Sequence, residues 1–193
     1  NATGEGGLSL GITGGSGSGG GGGAIFNNGG SLVLHHSTLS VNSTGWFGGC
    51  HGGAIYSNGG TLNLNHSTLL GNTTGKGGPG GRGSGPGGDG EAIYIVGGTL
   101  ILHHSTLSGN TTGGALNGRS PGGNGGAIYN HGGTLILENA VVAGNTTTGR
   151  GPDIVQLGGY EANTGVNFIG DLAEAGSPPG TILTGDPRLA PLG

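Results

Sequence analysis

Histidine is the residue of this chain whose type and spacing come nearest to chemistry. His35-His36 and His103-His104 are adjacent pairs, and His66 follows Asn65. Glu138-Asn139 holds the same place in a fourth segment. Imidazole binds zinc or copper and titrates near neutral pH. With the segments stacked in register, His36, His66 and His104 form one column, continued by Asn139. His35, Asn65, His103 and Glu138 form the next. Successive residues of a strand point to opposite faces. The two columns are therefore expected to face different ways and not to share a metal. A ladder of polar corner residues is the plainer reading of both.

Carboxylates are the second resource. Glycoside hydrolysis needs two on one face, and a calcium-dependent lyase needs several around an ion. The central segments offer only Asp89, Glu91 and Glu138. Asp89 and Glu91 are close in sequence but are expected in a glycine loop with no neighbouring acidic column. A polysaccharide lyase or glycosidase is thus the least favoured reading. No catalytic residue and no cofactor are assigned. Asp89 within Gly-Gly-Asp-Gly only faintly matches a calcium nonapeptide, whose period is missing.

These residues ride on a repeat. Residues 53–72 read Gly-Ala-Ile-Tyr-Ser-Asn-Gly-Gly-Thr-Leu-Asn-Leu-Asn-His-Ser-Thr-Leu-Leu-Gly-Asn, and the pattern returns at 23–42, 91–110 and 126–145. From Ile25 to Ile55, Ile93 and Ile128 the steps are 30, 38 and 35 residues. Periods of this length mark solenoids and arrays. Each unit has three short strands: Ala-Ile-Phe/Tyr, then Ser/Thr-Leu-x-Leu after a Gly-Gly corner, then Ser/Thr-Leu closing on Asn. Such strands are too short to stand alone but can hydrogen-bond to the next copy about 4.8 Å away.

Stacking makes columns. Ile25, Ile55, Ile93 and Ile128 form one apolar column; Leu32, Leu62, Leu100 and Leu135 a second; Leu34, Leu64, Leu102 and Leu137 a third. Leu39, Leu69, Leu107 and Val141 or Val142 complete the core. Asn42, Asn72, Asn110 and Asn145 are expected as an inward amide ladder. The pattern predicts an all-β chain forming a single parallel β-helix of about five to six coils over residues 1–193. Residues 1–22 hold a strand, with Leu8, Leu10 and Ile12 at period two, and a Gly-rich loop. Residues 23–150 are four regular coils, 151–170 a degenerate coil, and 171–193 a proline-containing tail.

Composition agrees. Of 193 residues 55 are glycine and only 7% are charged, yet no Gly-X-Y period points to collagen and the apolar residues recur in register. The formal net charge is −4, with five scattered basic residues. This leaves no footprint for nucleic acid. No stretch approaches the roughly 20 apolar residues of a membrane-spanning helix. The one cysteine, Cys50, excludes an internal disulfide framework.

The repeated Gly-Gly-Ala-Ile-Tyr, Thr-Leu-x-Leu and Ser-Thr-Leu-Ser-Gly-Asn blocks resemble the right-handed parallel β-helix of secreted bacterial surface proteins. The pattern is most similar to choice-of-anchor Q domain proteins, and more loosely to polymorphic-outer-membrane and pectate-lyase-like repeats. Gly151-Pro-Asp-Ile154, Asn167-Phe-Ile-Gly-Asp171 and Asp186-Pro-Arg-Leu-Ala-Pro-Leu192 resemble that group's C-terminal segment. The resemblance implies right-handedness and an extracellular or cell-surface setting. It brings no catalytic residue.

The loops between coils all leave one corner, so they are expected to crowd one side. There Trp46, Phe47 and His51, with Cys50, are candidates for contact with a glycan or protein. Outward Thr44, Thr74, Thr112 and Thr147 are expected as O-glycan carriers, while the asparagines of the ladder sequons should be protected. The terminal coils carry no evident cap, and a head-to-tail contact that does not close makes a filament. The leading expectation is therefore a non-enzymatic extracellular structural protein whose partner is itself. An adhesin using the loop face for glycans or protein is the alternative.

Overall fold

The structure is a computed structural model that describes residues 21–45, 50–77, 79–80, 83–84, 87–114, 122–161 and 164–189. The strand expected within residues 1–13 and the contact candidates Trp46 and Phe47 lie outside the described residues. The first coil holds β1 (Ile25–Asn28), β2 (Ser31–His35) and β3 (Thr38–Ser40); the second β4 (Ile55–Asn58), β5 (Thr61–Asn65) and β6 (Thr68–Leu70). A small antiparallel hairpin, β7 (Pro79–Gly80) and β8 (Gly83–Ser84), decorates the following loop. The third coil is β9 (Ile93–Val96), β10 (Thr99–His103) and β11 (Thr106–Ser108), and the fourth β12 (Ile128–His131), β13 (Thr134–Glu138) and β14 (Val141–Val142). Then come β15 (Ile154–Gln156), β16 (Gly159–Tyr160), β17 (Val166–Ile169) and β18 (Thr181–Leu183).

The strands assemble into three parallel sheets. The first runs β1-β4-β9-β12-β15, the second β2-β5-β10-β13-β16, and the third β3-β6-β11-β14-β17-β18. Register follows the repeat: Ile25 faces Ile55, Ile55 faces Ile93, and Ile93 faces Ile128. The architecture is a parallel β-helix of stacked coils, three short strands to the coil. Beyond the fourth coil the columns continue, with Ile154 beside Ile128 and Ile169 beside Val142. Val142, not Val141, is therefore the core member. The proline-containing tail contributes β18, whose Ile182 packs on the core.

Apolar columns hold the coils together. Ile55, Leu64, Ile93, Leu102, Ile128 and Leu137 are fully buried, while Ile25, Leu32, Leu34 and Leu39 of the first coil are only partly so. Glycine matters most where successive coils touch backbone to backbone. A side chain at Gly126 would place Cβ 2.0 Å from the Pro152 carbonyl oxygen. At Gly60, which has φ 71°, it would lie 2.2 Å from the Gly30 oxygen.

The amide ladder is present and has a direction. Asn42 Nδ2 donates to Asn72 Oδ1 at 2.9 Å, Asn72 to Asn110 at 2.9 Å, and Asn110 to Asn145 at 2.8 Å. Each Oδ1 also accepts the backbone N–H of the rung before it. The last rung donates to a carboxylate: Asn145 Nδ2 reaches Asp153 Oδ1 at 2.8 Å, and Asp153 Oδ2 accepts the Asp171 N–H at 2.7 Å. Burial pushes the Asp153 carboxyl up, with the Asn145 and Asp171 bonds opposing. A second inward ladder joins Ser37, Ser67 and Ser105, each serine taking the N–H of the one before.

Candidate functional site

The histidines come together on the outer face of the second sheet. His35 and His103 end β2 and β10 and point outward. His36, His66, His104 and Asn139 follow with φ of 47°, 49°, 46° and 51°. Asn and His are among the few side chains that tolerate this left-handed region. A left-handed residue bends the chain and breaks the strand's alternation, so the second side chain also stays outside. The expectation that the two columns face different ways is thereby corrected. His35 and His36 have ring centroids 4.2 Å apart, His36 and His66 5.1 Å, His66 and His104 4.9 Å, and His103 and His104 4.2 Å.

Asn65 and Glu138 complete this face. Asn65 Oδ1 lies against His66 Nδ1 and 3.3 Å from His103 Nδ1. Glu138 Oε2 is 3.6 Å from His103 Nε2. Asn139 Nδ2 is 3.5 Å from His104 Nε2. Partial desolvation, then the like charges of His104, His36, His103 and His35, hold His66 below the ordinary imidazole range. Among the described residues no group of three or more His, Cys, Asp or Glu is arranged to hold a metal, so the column His36, His66, His104 does not form a ligand set in this arrangement.

The acidic residues form a separate corner, entering the third coil. Glu91 takes the register of Gly23, Gly53 and Gly126, and its side chain is fully buried instead of lying in a glycine loop. Its Oε1 accepts the Thr74 hydroxyl at 3.0 Å, while Oε2 has no hydrogen-bond partner. Burial pushes this carboxyl well above the usual range; the Thr74 bond opposes the shift and Asp89 adds to it. Asp89 instead accepts the N–H and the side-chain amide of Asn124, at 2.7 and 3.0 Å, and lies 3.5 Å from His51 Nδ1. Its own N–H donates to that nitrogen at 2.9 Å. Desolvation lowers the His51 pKa against the pull of Asp89. Glu138 sits at the end of β13, so the three carboxylates are not brought together.

His51, a loop candidate, folds back onto the coil and stacks on Tyr94 with centroids 4.3 Å apart. Tyr94 belongs to an outer ring ladder, Phe26–Tyr56–Tyr94–Tyr129, with steps of 5.2, 5.3 and 5.2 Å. Burial, then Asp89, Tyr129 and Tyr56, push the Tyr94 phenol up to about 12. The ring faces cover one another, and only Phe26, 58% exposed, ends the ladder openly.

The threonines correct another expectation. Thr44, Thr74 and Thr112 are buried and Thr147 half-buried, because their hydroxyls serve the corner backbone. Thr44 donates to the Cys50 carbonyl and accepts the Gly75 N–H. The exposed neighbours are Thr73, Thr111 and Thr146, in parallel bridges along the stack. Thr73 and Thr111 line a shallow groove of about 270 Å³ with Ser43 and Lys76. The ladder asparagines are 0–5% exposed, as their sequons require for protection.

The pairing of both histidine columns was missed because parity was applied across a left-handed residue. Asp153 had no repeat to announce it. Comparison of the chain with protein-family models, curated proteins and solved structures finds no match. No helix is long and apolar enough to cross a membrane among the described residues.

Proposed function

We propose that this protein is a non-enzymatic structural β-helix of the cell exterior, whose copies stack end to end into a filament or surface fibre. The observation that carries the reading is the state of the first coil. β1, β2 and β3 stand at the margins of their sheets. The columns that are buried from the second coil onward are only partly covered at Ile25, Leu32, Leu34 and Leu39. A further coil laid in register would complete three strand edges and bury that apolar rim. Where the same chain supplies it, the contact is heterologous and propagates. The extracellular setting follows from the resemblance of the repeat to secreted surface proteins.

Electron microscopy and sedimentation over a rising protein concentration test the proposal. Fibres one β-helix wide are expected. Leu34→Lys should abolish them while leaving the monomer folded, because at this rim the lysine stem can lie along the core with its charge in water. Monomers alone at the highest concentration reached would overturn the reading.

A further inference from the structure

Five imidazoles crowd one face of the second sheet, with ring contacts of 4.2 to 6.2 Å. The rest of that outer face is uncharged: Ser31, Thr61, Thr99 and Thr134 form one row, and Val33, Asn63, Ile101 and Ile136 another. Among the described residues the only acids on this sheet or just beyond it are Glu138 and Glu161, and its strands carry no lysine or arginine. The strands of the third sheet, reached through Ser37, Ser67 and Ser105, hold no ionisable side chain. His131, at the end of β12, stands across the glycine corner from Thr134.

Imidazole changes charge between about pH 5 and 8. Protonated imidazoles make this face cationic, and an anion laid along it offsets the like-charge crowding that holds His66 below the ordinary imidazole range. The formal charge of the whole chain passes from −4 to +3 when all seven histidines are protonated and the carboxylates remain ionised. Charge of one sign this dense needs anions to balance it. The protein shows one such pairing itself, since the Glu138 carboxylate reaches His103 across the fourth and third coils at 3.6 Å. The first three coils have no equivalent acid. Their imidazoles step 5.1 Å from His36 to His66 and 4.9 Å from His66 to His104. That regular spacing suits a polymer with a carboxylate on each unit.

We infer that the histidine face is an acid-gated binding surface for a carboxylated polysaccharide, engaged when the imidazoles are charged and released when they are neutral. The inference does not depend on whether copies stack. The ligand lies along the columns, its carboxylates taking in the first three coils the role that Glu138 plays in the fourth.

The test uses the whole chain, immobilised, with polygalacturonate as probe and neutral dextran and duplex DNA as comparison polymers at fixed ionic strength. Polygalacturonate should bind at least about tenfold more tightly at about pH 5.5 than at about pH 8, as several exposed ion pairs acting together allow. Dextran should not bind. The triple variant His36→Asn, His66→Asn, His104→Asn should lose the acid-dependent gain. Asparagine already occupies this left-handed position at Asn139, so the variant should melt like the wild type at about pH 8. An undiminished gain in the folded variant overturns the proposal. So does equal binding of dextran, or acid-dependent binding of DNA without polygalacturonate.

Discussion

Glu91 is a carboxylic acid sealed inside the stack, and its removal should change how stability depends on pH. An unfolded chain ionises this group near the ordinary value of 4.5, whereas burial in the folded state raises its pKa well above that. Below about pH 4.5 both states hold the proton, and Glu91 adds no pH dependence. As pH rises further, the unfolded state releases its proton first and is favoured. Each pH unit between 4.5 and the folded pKa then lowers stability by about 1.4 kcal/mol. Glu91→Gln removes the ionisation and keeps a side chain of similar size. Glu91→Gly restores the residue that the other three regular coils carry here. Urea unfolding of wild type and both variants should be followed in steps from about pH 4 to pH 8. The difference in unfolding free energy should tilt steadily in favour of each variant as pH rises, because all other titrating groups are shared and cancel. A difference that stays constant across the range would refute the argument that this acid is buried and protonated.

Three further outcomes follow from the packing. Asn110→Ala strips partners from the buried Asn72 amide, the Asn72 N–H and the Leu69 carbonyl; it should cost about 3–6 kcal/mol in chemical denaturation, against less than about 1 kcal/mol for the more exposed Asn65→Ala. Leu102→Ala should cost about 2–5 kcal/mol, and Leu34→Ala, in the partly covered first coil, about half of that or less. Gly126→Ala forces Cβ onto the Pro152 oxygen and should lower stability by about 3 kcal/mol or more. Gly159→Ala, with nothing within 4 Å of its Cβ, should be nearly neutral in the same melting assay.

The fold was legible because a parallel β-helix writes its register into the chain. Ile25, Ile55, Ile93 and Ile128 recur with the same neighbours, and each coil needs the same inward residue at the same place. The asparagine rungs were legible for the same reason. Alternation failed at the corners. A left-handed residue at His36, His66 and His104 turns two successive side chains outward. Around Thr44, Thr74 and Thr112 the backbone needs hydroxyl partners, and this draws the threonines in. Single departures from the repeat were the hardest to interpret. Glu91 stands where glycine was expected, and nothing in its neighbours along the chain says that it faces the interior. Asp153 lies in the degenerate coil, where only the three-dimensional stack reveals it as the successor of Asn145.

That succession gives the molecule a grammar of growth. Each rung from Asn72 to Asn145 both gives and receives, so a coil could be duplicated or deleted anywhere between Asn42 and Asn145 and leave the hydrogen-bonded wire whole. An ionised Asp153 only receives. Coils can therefore be inserted upstream of it, but the wire cannot run past it. In a fibre of stacked copies the amide wire would be interrupted once per subunit, at every junction, while running unbroken within each copy. Pulled along its axis, such a fibre should part at these seams and yield intact subunits.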